Sequence, residues 1–215
     1  WMRRMSRGIT GVGAVARRGA LGCSSEKPEE LPVGAAKQMV VNGEQATTQH
    51  IYATVALFDL NLQAQFCTGT LIAPNVVVTA AHCVVDANGN PTIIPFDLAI
   101  LSNVLNTFQA TNDDAYFVSD IIAHPGYPGG IDPNDIDGMG QADDIAIVIL
   151  ETPITDQAVA PVLAEPSVDS YVFPGSSNVR VTGYGINDLN TGEAGILYTA
   201  ETPYQKRNDH EMFAG

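Results

Sequence analysis

A chain of 215 residues, 45% hydrophobic and 16% charged, has enough apolar material for a packed core, as one large domain or two small ones. The formal net charge is −14 and unevenly spread: residues 1–39 hold seven of the ten Lys and Arg, leaving three basic against 21 acidic residues from Val40 onward. So acidic a body repels nucleic acid and anionic lipid, which sets aside nucleic acid as a partner, and no apolar run is long enough to span a bilayer.

The first residues, WMRRMSRGITGVGAVARRGALGC, place a basic patch before a short apolar segment, as a secretory signal does. Small residues ahead of Cys23 also resemble a bacterial lipoprotein signal, which implies a lipid anchor on Cys23. Residues 1–23 are thus read as a leader, and the polar, Pro-containing stretch 24–39 as a propeptide or linker. From Val40 the pattern changes to short β-branched runs broken by turn residues. IYATVALFDL (51–60), FCTGTLIA (66–73), VVVTAA (76–81), FDLAILSN and AYFVSDIIAH read as strands. Residues 125–144 form a Gly/Pro/Asp-rich loop, and within it DPNDIDG (132–138) spaces its acids as a Ca²⁺ loop might, without the closing Glu of an EF-hand; a solvated acidic loop is favoured. IAIVIL (145–150) is continuously apolar, the pattern of a strand buried on both faces. Residues 151–170 connect, and NVRVTGYG and GILYTAETPY restart the strands. No segment carries a helical period. The expectation is an all-β fold, sandwich or barrel.

VVVTAAHCV (76–84) is the stretch that carries chemistry: a strand that ends in His82 next to Cys83. Three readings compete: a metal ligand, a packed core histidine and a catalytic base. A metal needs three or four ligands at workable spacing, but there is no C-x-x-C or H-E-x-x-H, and His50, His124 and His210 are scattered. No metal is therefore expected.

Phe66-Cys67-Thr68-Gly69-Thr70-Leu71-Ile72 followed by Thr79-Ala80-Ala81-His82-Cys83 resembles the signature of the trypsin/chymotrypsin-like serine peptidases. The resemblance implies two antiparallel β-barrels within 40–215, the first over about residues 50–150 and an incomplete second over about 169–215. It implies His82 as catalytic base and a Cys67–Cys83 disulfide pinning the backbone beneath it. Asp-Ile-Ala-Ile-Val-Ile-Leu (144–150) resembles the family's aspartate motif, which makes Asp144 the acid that orients His82, with Asp143 as the fallback. Val-Val-Asn-Gly (40–43) resembles the mature N-terminus of the family, whose freed amine, here on Val40, inserts to order the active site; Met39 precedes it, not Lys or Arg. VTGYG (181–185) and MFAG (212–215) extend the likeness into the second barrel.

The family's nucleophile lies in G-D-S-G-G, just after the segment that MFAG resembles, and the sequence stops at Gly215 before it. Ser176 and Ser177, in PGSSNV, match no nucleophile motif. The resemblance implies a secreted, monomeric serine endopeptidase acting on proteins or peptides without a cofactor, its serine beyond the end of this chain. A non-catalytic binding protein on the same barrels is the alternative.

Overall fold

The computed structural model describes residues 40, 43–127, 143–162, 178–187, 192–207 and 212–214. The leader with Cys23, the stretch 24–39, the acidic loop 132–138 and Ser176 and Ser177 lie outside the described residues.

The β-branched runs become strands in chain order. A two-residue strand β1 (Glu44–Gln45) and a single-turn helix α1 (Thr48–Ile51) precede β2 (Thr54–Asp59), β3 (Ala64–Ala73) and β4 (Val76–Thr79). Then come β5 (Leu98–Leu101), β6 (Ala115–Ala123), β7 (Ala146–Leu150), β8 (Asn178–Gly183), β9 (Tyr198–Arg207) and β10 (Met212–Ala214). Six of them close an antiparallel barrel in the order β2-β3-β4-β7-β6-β5, with β5 returning to pair with β2. Closure leaves no strand edge unpaired within that sheet. Register shifts interrupt the β2–β3, β3–β4 and β6–β7 ladders. Such irregularities bend strands, as a barrel this narrow requires.

Inside the barrel Val55, Leu57, Leu71, Val77, Leu98, Ile100 and Val148 are fully buried. Each such side chain contributes about 1.5–3 kcal/mol of transfer free energy. The continuously apolar IAIVIL departs from the sequence reading. In β7, Ala146, Val148 and Leu150 are buried and Ile147 and Ile149 are half-buried, whereas Ile145, just before the strand, is exposed. A barrel wall has one sealed face only, so an apolar outer face need not be covered by a second layer.

The second sheet is partial: β9 pairs with β8, β1 and β10. It meets the barrel through a second apolar cluster that includes Ala56, Leu101, Val104, Tyr184 and Leu197. Tyr184, the aromatic of VTGYG, is fully buried, and its hydroxyl donates to the Val104 carbonyl at 2.7 Å. Burial pushes that phenol well above its usual range, so it stays a neutral donor. The closed barrel with a second, partial sheet is the all-β double-barrel architecture expected from the sequence.

Candidate active site

The β4–β7 ladder pairs Thr79 with Ala146. Three residues beyond Thr79 and two before Ala146 therefore reach the same rim, and that is where His82 and Asp144 lie. After Thr79 the chain makes one turn of 3₁₀ helix, Ala81–Cys83. Two links fix this turn to β3. The Thr79 hydroxyl donates to the Thr68 carbonyl at 2.9 Å, and Cys67 and Cys83 form a disulfide with Cα atoms 6.2 Å apart. Ala81 and Cys83 are buried in the barrel core, and His82 between them is half-buried.

Asp144 grips that turn twice. Its Oδ1 accepts the backbone N–H of His82 at 2.8 Å, and its Oδ2 lies 2.6 Å from His82 Nδ1. Burial, the largest single influence on Asp144, works against its charge. The hydrogen bonds and charge of His82, with an N–H of Ala81, outweigh burial and hold the carboxyl below its usual value. An ionised Asp144 accepts only, so the Nδ1 atom facing it must carry the proton, and in the neutral ring Nε2 is then an acceptor. Nε2 is buried and has no hydrogen-bond partner among the described residues. An imidazole held in this tautomer can take a proton at Nε2 while the carboxylate stabilises the resulting cation.

Asp143, the fallback acid, faces elsewhere: its Oδ2 is 3.7 Å from Nδ1 of His124. Cys67, His82 and Cys83 do cluster, but both sulfurs are spent in the disulfide and cannot serve as thiolate ligands. Val40 is buried, its backbone N–H donating to the Ile186 carbonyl at 3.1 Å. An open cleft lined in part by Phe66, Cys67, Gly185 and Ile186 runs past the disulfide between β3 and the segment after β8.

One neighbour escaped the sequence reading, which placed Pro125 to Asp144 in a single loop. Tyr127 is buried, and burial together with the charges of Asp144 and Asp86 pushes its phenol up. The signal for it was an aromatic side chain in an otherwise Gly/Pro/Asp run.

The family model for trypsin matches residues 40–212. The chain belongs to the trypsin family. Among curated proteins it is similar to a trypsin of Saccharopolyspora erythraea, 32% identical over 157 residues, which covers 73% of this chain and 58% of that protein. A vitellin-degrading protease of Bombyx mori is 28% identical over 184 residues, 85% of this chain and 61% of its own length. Brachyurin of Leptuca pugilator is 27% identical over 181 residues, 82% and 69% respectively. The chain thus spans about three fifths of the first two relatives. The trypsin-family match takes in Val40, His82 and Asp144 together with the disulfide. Among the described residues no helix is long and apolar enough to cross a membrane.

Proposed function

We propose that this chain carries the general base and the orienting acid of a serine endopeptidase. His82 takes the proton of a serine hydroxyl at Nε2 and returns it to the leaving amine. Asp144 holds the tautomer and stabilises the imidazolium. The serine itself comes from residues following Gly215, and peptide hydrolysis proceeds through an acyl-enzyme. One observation supports the reading: His82 Nδ1 lies 2.6 Å from Asp144 Oδ2 while its buried Nε2 is without a partner among the described residues. The substrates are proteins or peptides, and the enzyme is secreted; the disulfide supports an oxidising compartment. Within the same reading Val40 is the residue whose freed amine would order the site, and its burial supports an internal place for it.

The test starts with the coding sequence downstream of Gly215. The extended protein is then exposed to a fluorophosphonate probe, which labels only an activated serine. Labelling that disappears in His82→Ala is the expected result. A downstream sequence without a G-D-S-G-G-like segment, or an extended protein that neither labels nor cleaves peptides, would favour the non-catalytic binding protein instead.

A further inference from the structure

Asp144 reaches His82 from an awkward piece of backbone. The residue before it, Asp143, has φ of 57°, in the left-handed region that non-glycine residues seldom occupy. The Ile145 N–H donates to the Asp143 carbonyl at 2.7 Å, closing a tight three-residue turn with Asp144 at its apex. Such backbone persists only where its surroundings hold it.

One residue holds both neighbours of Asp144. The backbone N–H of His124 donates to the Ile145 carbonyl at 2.8 Å, and its ring Nδ1 stands 3.7 Å from Asp143 Oδ2. His124 opens a turn closed by the Tyr127 N–H to its carbonyl at 3.1 Å, and within that turn the Gly126 N–H donates to His124 Nδ1 at 3.2 Å. Gly126 is packed so closely that a Cβ there would lie 2.3 Å from Asp143 Oδ2 and 3.2 Å from His124 Nδ1. Nδ1 is thus the acceptor for the Gly126 N–H, and the Asp143 carboxylate packs against ring and glycine without a hydrogen bond from Nδ1. Tyr127, the last residue of the same turn, is buried near Asp144.

We propose that His124 and Gly126 are positioning residues for Asp144: their turn grips Asp143 and Ile145 and so aims the carboxylate between them at His82. The inference rests on the reading of His82 and Asp144 as base and orienting acid.

The experiment uses the full chain labelled with ¹⁵N-histidine and follows the His82 Nδ1 proton by NMR. His124→Phe and Gly126→Ala should speed its exchange with water at least about tenfold, because exchange reports local opening. Amide protection in β7 should stay at the parent level. His124→Asn, whose side-chain amide keeps a hydrogen-bonding group near the place of Nδ1, should restore slow exchange. A slowly exchanging proton in both His124→Phe and Gly126→Ala overturns the proposal, as does a failure of His124→Asn to rescue. If His124→Phe does not fold, Asp143→Ala cuts the same contact from its other side, and parent-like exchange there also overturns it. A parent chain that shows no such proton at all refutes the His82–Asp144 pairing itself and the proposal with it.

Discussion

Removing the Cys67–Cys83 cross-link by a double substitution to alanine tests how His82 is anchored. The cross-link closes a loop of sequence separation 16. Loop-closure entropy for that length is worth about 3 kcal/mol at 25 °C. For a chain of this size the loss lowers the thermal midpoint by about 6–12 °C. The barrel should survive, because the β3–β4 ladder still pairs Thr70 with Val78 and Leu71 with Val77, and the Thr79 hydroxyl still reaches Thr68. The Ala81–Cys83 turn loses its only covalent tie, so His82 should become more mobile than any barrel strand. Scanning calorimetry without reductant measures the midpoint, and hydrogen exchange compares residues 81–83 with β4. A midpoint unchanged or raised would refute the entropic argument. Loss of protection in β4 equal to that in the turn would refute the view that the ladder stands alone.

Asp144→Asn should destabilise the protein at neutral pH and flatten its response to acid. The carboxyl is held below its usual value in the folded state, so the unfolded chain takes up the proton first. The stability it contributes is present above the unfolded value, about 3.9, and lost as pH falls through the lower folded value. Urea melts from pH 7 down to pH 3 should show the gap between variant and parent closing with acid, and a constant gap would contradict the linkage. Tyr184→Phe strands the buried Val104 carbonyl that its hydroxyl reaches at 2.7 Å. The expected cost is about 1–3 kcal/mol, and an unaltered urea midpoint would show that the bond between barrel and sheet is dispensable. Gly69→Ala would put a methyl 2.6 Å from Val77 Cγ1 and 3.0 Å from Leu57 Cδ1 inside the barrel. Overpacking of that kind costs about 1–3 kcal/mol, so a variant as stable as the parent would mean the core is looser than its contacts imply.

Strand identity was legible wherever β-branched residues were dense, as in VVVT, which became β4. The neighbourhood of His82 and Asp144 was legible because both stand next to short strings that the family resemblance picks out. Residues without such strings were not. His124 counted only as one scattered histidine, since its partners Asp143 and Gly126 are local in space and distant or nondescript in sequence. The four short 3₁₀ turns among the described residues escaped too, because three residues cannot display a helical period. The outward face of β7 misled for a different reason: hydrophobicity records what a side chain tolerates, and Ile145 is tolerated in water.

The register that pairs Thr79 with Ala146 has an evolutionary corollary. His82 and Asp144 hang from adjacent staves of one closed cask, although dozens of residues intervene along the chain. Whatever is spliced into the loops between those staves changes contour length and leaves the spacing at the rim alone. Such a scaffold lets its periphery diversify freely, with the imidazole–carboxylate pair kept in calibration by the hydrogen-bonded wall beneath.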